Sequence, residues 1–287
     1  MRVIKAETAG FCMGVSLALK RLDRALGDRE RGGMPGRLCT FGPIIHNPPL
    51  VKEYEERGVI CMRGVEEARP GDTVLIRAHG VPLELEEELK ARGADVVDAT
   101  CPRVKAAQLA IKGAASEGRG TLLLFGEAEH PEVKGLLSYA GPGAVVFSRL
   151  EELHALGLEK SRPCFLAAQT TQDRNVFQKA ADYLQGIFGE NFTVLHTICD
   201  ATRERQQEVI ELAGKVRSMV IVGGMNSGNT TRLAEIARGL GIYTVHCEDG
   251  CELPLDELRA LQPVGLSAGA STPDKHIAGV EELLLQS

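Results

Sequence analysis

Short apolar runs alternate along this chain with longer stretches in which apolar residues recur at helical spacing. The runs are rich in Val, Ile, Leu and Phe, which favours β-strands, and the longer stretches favour amphipathic helices. The predicted strands are Val3–Ala6, Leu38–Phe41, Thr73–Arg77, Val96–Asp98, Thr121–Phe125, Ala144–Phe147, Cys164–Ala168, Met219–Val222, Tyr243–His246 and Val264–Ser267. The predicted helices are Val15–Leu26, Pro49–Arg57, Pro82–Arg92, Val104–Glu117, Glu132–Ser138, Arg174–Phe188, Thr202–Ser218, Thr230–Gly239, Leu255–Leu261 and Pro273–Leu285. This alternation indicates an α/β fold with mainly parallel sheets.

A cysteine stands before a predicted helix at three widely separated points, Cys12, Cys101 and Cys199, which lie 89 and 98 residues apart. Each interval is long enough to hold one small α/β unit of about four strands. We therefore predict three domains, which span residues 1–98, 99–196 and 197–287.

Polar residues collect in seven segments where a predicted strand gives way to a helix. In open α/β sheets this is the edge at which ligands bind, and capped helix starts offer N–H groups to an anion. Each segment alone is better explained as a helix cap. Together they make a shared anion pocket as good an explanation as separate helix caps. The segments are GPIIHNP, IRAHGVP, ATCPRV, GEAEHPEVKG, AAQTTQD, GGMNSGNTTR and SAGASTPD.

The chain has eight cysteines and no CxxC pair, which argues against a zinc ribbon or a bacterial ferredoxin pattern. Cys247 and Cys251 form the closest pair, but no second half of a metal site accompanies them. Three others lie in apolar runs and are predicted to be small core residues; they are Cys39, Cys61 and Cys164.

Cys12, Cys101 and Cys199 differ because each lies at a strand-to-helix junction. The positive end of a helix favours the thiolate, which is the form that binds metals. Packing roles remain an alternative for all three. If the thiolates converged on a cubane iron–sulfur cluster, one iron would stay unligated and could act as a Lewis acid.

Three histidines, His46, His79 and His130, each occupy a predicted loop beside Gly, Pro or Asn. Their equivalent settings favour a shared anionic ligand. Glu132 follows His130 at a helix start, so it is a candidate proton donor. Its position is explained equally well by the attraction of a carboxylate to the helix dipole.

Composition limits the function further. A net charge of −6 argues against a general nucleic-acid binder, and 4% aromatic residues argue against base-stacking platforms. No run reaches the ~18 apolar residues of a membrane span. The opening MRVIKAETAG lacks the pattern of a secretory signal, so we expect a cytoplasmic protein without membrane or nucleic-acid partners.

At these residues the chain resembles the LytB family of 4-hydroxy-3-methylbut-2-enyl diphosphate reductases, from Ala6 to about Leu284. The resemblance rests on nine sequence motifs, which are, in chain order, AGFCMGV, IIHNPPLV, RAHGVP, VDATCPRV, EHPEVKG, QTTQ, ICDATRERQ, NSGNTTRL and AGASTPD. The resemblance implies three α/β domains in a pseudo-threefold cloverleaf around a central 4Fe–4S cluster. One iron of that cluster would be open and would be the easiest to lose, leaving a 3Fe–4S form.

The resemblance also assigns roles to residues. It implies that the cluster is held by Cys12, Cys101 and Cys199, and that Glu132 delivers a proton with Thr170 beside it. The implied residues around the substrate's diphosphate are His46, His79, His130, Thr170, Ser227, Asn229 and Ser271, of which His130 also acts in catalysis. Gly228 departs from the family pattern, since many members carry a second serine there.

The implied reaction is a reductive dehydroxylation of a small allylic diphosphate, the last step of the non-mevalonate isoprenoid pathway. It gives isopentenyl and dimethylallyl diphosphates, with electrons from a ferredoxin or flavodoxin. GGMNSG does not fit G-x-G-x-x-G, which disfavours a bound nicotinamide. The alternatives are a non-redox iron–sulfur hydro-lyase, a small-anion binding module and a zinc hydrolase.

Overall fold

The structure, a computed structural model, describes residues 1–33, 36–248 and 253–287. Its strands are β1 (Val3–Lys5), β2 (Leu38–Phe41), β3 (Ile60–Met62), β4 (Thr73–Ile76), β5 (Asp95–Asp98), β6 (Thr121–Phe125), β7 (Val145–Phe147), β8 (Cys164–Ala168), β9 (Phe192–Val194), β10 (Ser218–Val222), β11 (Tyr243–Cys247) and β12 (Val264–Ala268). Its helices are α1 (Met13–Glu30), α2 (Pro48–Glu56), α3 (Leu83–Ala91), α4 (Pro102–Ser116), α5 (Pro131–Leu137), α6 (Leu150–Ala155), α7 (Arg174–Phe188), α8 (Asp200–Ala213), α9 (Gly228–Gly239), α10 (Leu255–Ala260) and α11 (Asp274–Gln286).

The strands form three four-stranded sheets, and every strand pair among the described residues is parallel. The predicted α/β class with parallel sheets is confirmed. The chain divides into two compact units. Unit one comprises Met1–Ser16, His46–Leu50 and Cys199–Ser287, and contains the sheet of β1, β10, β11 and β12. Unit two comprises Leu17–Ile45 and Val51–Ile198, and contains the other two sheets.

All three sheets share one strand order. In unit two the strand orders across the sheets are β3-β2-β4-β5 and β7-β6-β8-β9. In each sheet the second strand along the chain lies at one edge, and the first, third and fourth strands follow it across the sheet. The sheet of unit one reads β11-β10-β12-β1, which is the same order with β1 in the fourth place. The threefold pattern of the sequence therefore corresponds to three copies of one sheet topology.

The first strand pairs with a strand from the other end of the chain. Val3 pairs with Val264 and Lys5 with Leu266, so β1 completes a sheet whose other strands come from the end of the chain. The order of predicted elements along a sequence indicates pairing between strands that are close in the chain. The pairing of β1 with β12 instead joins strands near the two termini. The predicted domain limits stay a prediction.

Some predicted elements differ from the structure. Three elements are not predicted: strands β3 and β9, which have three residues each, and helix α6, which has six. They are too short to produce a clear periodic pattern in the sequence. The helix predicted over Thr202–Ser218 ends at Ala213, and Ser218 already begins β10.

Helices cover both faces of the sheet in unit one. Val220 and Val222 of β10 pack in a core cluster with residues of α10 and α11, such as Leu258 and Val280. Ile221 points to the opposite face and joins a cluster formed with α8 and α9. Burial on both faces explains why this strand is an unbroken apolar run. No helix among the described residues has the length and apolar character needed to cross a bilayer.

Candidate active site

The predicted polar site residues follow the two central strands of each sheet. These central strands are β2 and β4, β6 and β8, and β10 and β12. Each pair lies side by side at the point where the strand order reverses, which is where open α/β sheets bind ligands. The residues that follow β2, β4, β6, β8, β10 and β12 are, in turn, His46, His79, His130, Thr170, Ser227 and Ser271.

The three predicted cluster cysteines follow the fourth strand of each sheet. Cys101 is the N-cap of α4 after β5, and Cys199 is the N-cap of α8 after β9. Cys12 comes after β1 and immediately before α1. All three are half-buried, in contrast to core cysteines. Their equivalence in the three sheets explains the even spacing seen in the sequence.

The predicted site residues fall in both compact units. Those of unit one are Cys12, His46, Cys199, Ser227, Asn229 and Ser271. Those of unit two are His79, Cys101, His130, Glu132 and Thr170.

In unit two a buried carboxyl group, that of Glu132, is bound by Thr170. The Thr170 N–H donates to Glu132 Oε1 over 2.6 Å, and the Thr170 hydroxyl lies 3.0 Å from Oε2. Glu132 is only 2% exposed. Burial raises the pKa of Glu132 to about 7, against the opposing effect of the Thr170 hydrogen bonds. A carboxyl group with this pKa can hold and release a proton near neutrality.

The histidines of unit two lie beside this carboxyl group. His130 is the N-cap of α5, and its Nδ1 accepts the N–H of Glu132 over 3.1 Å. This bond needs a lone pair on Nδ1, so the proton of a neutral ring lies on Nε2, which can donate. The ring of His79 meets that of His130 edge to face, with 5.6 Å between centroids. The structure thus brings His79, His130, Glu132 and Thr170 together.

A buried threonine, Thr197, holds the end of the strand that presents Thr170. Its hydroxyl accepts the N–H of Ala168 over 2.8 Å and donates to the Ala168 carbonyl over 2.7 Å. Sequence reasoning missed this residue, because nothing local to Thr197 indicates a partner 29 residues away.

We expect Thr197→Val to destabilise the protein by about 2 kcal/mol, because it leaves a buried N–H and carbonyl of Ala168 without their partner. Chemical denaturation measures the change. The control is Thr193→Val in β9. The Thr193 hydroxyl accepts a hydrogen bond from the exposed Arg119, and its loss should change the stability by no more than ~0.5 kcal/mol. Equal effects of the two substitutions would contradict this role for Thr197.

In unit one the loops after β10 and β12 carry the other predicted anion ligands. Ser227 caps α9 by accepting the N–H of Thr230 over 3.4 Å. Asn229 is 5% exposed, and its Nδ2 has no hydrogen-bond partner within the part of the chain that the structure describes. Gly228 is the first residue of α9, so its N–H is not used within the helix and can replace a missing serine hydroxyl as a donor.

Ser271 joins the loop after β12 to the segment of His46. The Ser271 hydroxyl donates to the His46 carbonyl over 3.1 Å, and Asn47 Nδ2 donates to the Ser271 carbonyl over 3.1 Å. Close packing demands glycine here: a Cβ on Gly269 would lie 1.9 Å from Thr230 Oγ1, and one on Gly224 would lie 3.0 Å from the His46 carbonyl oxygen. The structure thus places the backbone of His46 beside Ser271 and the loop after β12.

The remaining cysteines of the described chain are structural or half-buried. Cys39 and Cys164 lie in hydrophobic clusters, as predicted. Cys61 is only half-buried, so its predicted place in the core is wrong. Cys247 lies in the core of unit one, and Cys251 is outside the described residues. None of the seven described cysteines forms a disulfide.

No group of three or more His, Cys, Asp and Glu side chains among the described residues is arranged to hold one metal ion. A cubane cluster does not require its ligands to converge on a single ion, because each thiolate binds a separate iron. Half-buried thiols at equivalent helix starts suit that kind of cluster.

The model of one protein family, described as LytB protein, matches residues 3–285, nearly the whole chain. The chain belongs to the LytB family. Similar LytB proteins include a 4-hydroxy-3-methylbut-2-enyl diphosphate reductase of Nitratidesulfovibrio vulgaris (strain DSM 19637 / Miyazaki F), which is 55% identical over 285 residues and covers 99% of both chains. The reductase of the same name from Aquifex aeolicus (strain VF5) is 43% identical over 277 residues, covering 95% of this chain and 92% of that protein.

The solved structures that are similar to the LytB chain include two reductases. The structure of (E)-4-hydroxy-3-methyl-but-2-enyl diphosphate reductase, described as the terminal enzyme of the non-mevalonate pathway, has a TM-score of 0.69 at 41% identity, with complete coverage of both chains. The E-1-hydroxy-2-methyl-but-2-enyl-4-diphosphate reductase of Plasmodium falciparum has a TM-score of 0.91 at 23% identity, covering 99% of this chain and 87% of that one. At that identity the second likeness concerns the fold alone.

Proposed function

We propose that this protein is a 4-hydroxy-3-methylbut-2-enyl diphosphate reductase. The observation that carries the proposal is the buried Glu132–Thr170 pair, with a carboxyl pKa of about 7, beside two histidines in a full-length LytB chain. A buried proton donor beside cationic or hydrogen-bonding groups suits an anionic substrate that must gain a proton.

Cys12, Cys101 and Cys199 are the proposed ligands of a 4Fe–4S cluster with one open iron. Their half-buried thiols and equivalent positions after the fourth strands support this assignment. When bound, such a cluster supplies electrons one at a time and a Lewis-acidic iron for the departing hydroxyl.

The diphosphate is the proposed ligand of the polar residues that follow the central strands. In unit two, His130 offers Nε2–H, and the neighbouring His79 lies within the same cluster. In unit one, Ser227, Asn229 and Ser271 with His46 offer hydroxyl, amide and imidazole groups, and the start of α9 adds backbone N–H groups. The buried Asn229 amide, which lacks a partner among the described residues, fits this role.

Glu132 is the proposed proton donor. The reaction breaks the allylic C–O bond, forms one C–H bond and releases water, so it consumes two electrons and two protons. Glu132 holds one proton, and the Thr170 N–H and hydroxyl fix the orientation of its carboxyl group. The electrons come from a one-electron carrier, for which a ferredoxin or a flavodoxin is proposed.

The proposal is tested without oxygen by reducing the protein with a viologen dye and adding 4-hydroxy-3-methylbut-2-enyl diphosphate. We expect two dye radicals to be oxidised for each molecule of isopentenyl or dimethylallyl diphosphate formed. Substrate loss without dye oxidation would favour a hydro-lyase instead. Brown protein with a full complement of iron and sulfide that oxidises no dye would refute the reductase.

A further inference from the structure

A buried arginine, Arg205, lies on the inner face of α8 in unit one. It is 5% exposed. Its Nη2 donates to the Gly10 carbonyl over 2.8 Å, and its Nη1 donates to the Ala201 carbonyl over 3.1 Å. Gly10 precedes Cys12 by two residues, and Ala201 follows Cys199 by two. One guanidinium group therefore ties together the segments that carry two of the proposed cluster ligands.

The charge of Arg205 has no carboxylate partner among the described residues, and its buried Nε makes no hydrogen bond there. The nearby Glu208 is occupied, because it accepts from the N–H groups of Glu7 and Thr8 and from the Thr8 hydroxyl. A buried cation without a counter-ion is costly. A negative charge supplied from elsewhere would remove that cost.

The thiols of Cys12 and Cys199 can supply this negative charge when they are deprotonated. Burial lowers the pKa of Arg205, and the charges of Cys12 and Cys199 are the strongest opposing influences, ahead of those of Glu204 and Glu208. When these cysteines are thiolates bound to iron, a permanent negative charge lies beside the guanidinium group. Arginine suits such a place because it stays protonated when buried.

We propose that Arg205 is a positioning residue that fixes the Cys12 and Cys199 segments and raises the reduction potential of the cluster they hold. The inference rests on the proposed cluster. Cluster potentials depend on net charge and on the surrounding protein. A buried positive charge stabilises the reduced cluster, which carries one more negative charge, over the oxidised cluster. Arg205 therefore makes the cluster easier to reduce by a one-electron donor.

The test compares Arg205→Gln, which removes the charge, with Arg205→Lys, which keeps it. The control is Arg203→Gln on the same helix, since Arg203 has a side chain that is 49% exposed. Iron and sulfide are quantified first, and the potential of each protein is then measured by a redox titration monitored by electron paramagnetic resonance. We expect Arg205→Gln to shift the reduction equilibrium at least tenfold toward the oxidised cluster, which is about 59 mV for one electron. Arg205→Lys and Arg203→Gln should stay within threefold of the parent.

An intact cluster of unchanged potential in Arg205→Gln would overturn the proposal. If Arg205→Gln holds no cluster, the result for Arg205→Lys decides. A cluster of unchanged potential in Arg205→Lys supports the role of the charge, whereas a tenfold shift of its reduction equilibrium or the loss of the cluster overturns the proposal. Absence of a cluster from the parent protein would refute the proposed function rather than the role of Arg205, so the two failures are distinguishable.

Discussion

Replacing Glu132 by glutamine is expected to lower turnover at least ~100-fold, the usual scale of general acid catalysis, while leaving the iron–sulfur content unchanged. Glutamine keeps the shape of the side chain, and its amide oxygen can still accept the Thr170 N–H. It cannot release a proton to substrate. Anaerobic dye oxidation measures the rate, and iron and sulfide analysis shows that the cluster is present.

The pH profile distinguishes proton donation from a structural role. Burial raises the pKa of Glu132 to about 7, so the carboxyl group is protonated below that pH and the parent rate should fall as pH rises through 7. Glu132 also affects stability, because its pKa is about 7 in the folded protein and about 4.3 in the unfolded chain. Its protonation stabilises the folded state fully below pH ~4.3, and this stabilisation is lost as the pH rises through about 7. Unfolding of Glu132→Gln should therefore depend less on pH in this window than unfolding of the parent.

The matched control is Glu129→Gln, three residues away. Glu129 has a side chain that is 91% exposed, and it forms an ion pair with Lys134. This variant should keep the parent's turnover and pH profile. Turnover near the parent value in Glu132→Gln would remove Glu132 from proton delivery.

The alternation of elements predicts the fold class well because the central strands of these sheets are buried on both faces. Long helices such as α7 also bury one apolar face. The place of β1 could not be predicted in the same way. Val3–Lys5 carries no mark of its partner, and its pairing with β12 depends on a contact between the chain's two ends. The shared strand order emerges only when this pairing is known.

The candidate site shows the same division between local and distant information. Cys101 and His130 could be singled out because each precedes a proline that begins a helix. Arg205 could have been found from helix periodicity. The buried positions of α8 include Thr202, Arg205, Val209 and Leu212, so the arginine falls on the apolar stripe, where an unpaired charge needs a reason.

Replacing Cys101 by serine is expected to abolish the brown colour, the bound sulfide and all measurable turnover. A hydroxyl group is a far poorer ligand for iron–sulfur clusters than a thiolate. The fold should survive, because Cys101 is the N-cap of α4 and serine is among the preferred residues at that position. The backbone bonds of residue 101, from its N–H to the Ala78 carbonyl and from the Lys105 N–H to its own carbonyl, do not involve the side chain.

The control is Cys61→Ser, which makes the same chemical change at another half-buried cysteine of unit two. It should keep the cluster and the parent rate. Thermal unfolding of the two proteins, each prepared without cluster, should occur within a few degrees of each other, since a surface or cap change of about 1 kcal/mol moves the midpoint only slightly in a chain of this size. If Cys101→Ser retained a full cluster, Cys101 would not be a ligand, and the equivalence of the three helix starts would reflect the repeated sheet topology alone.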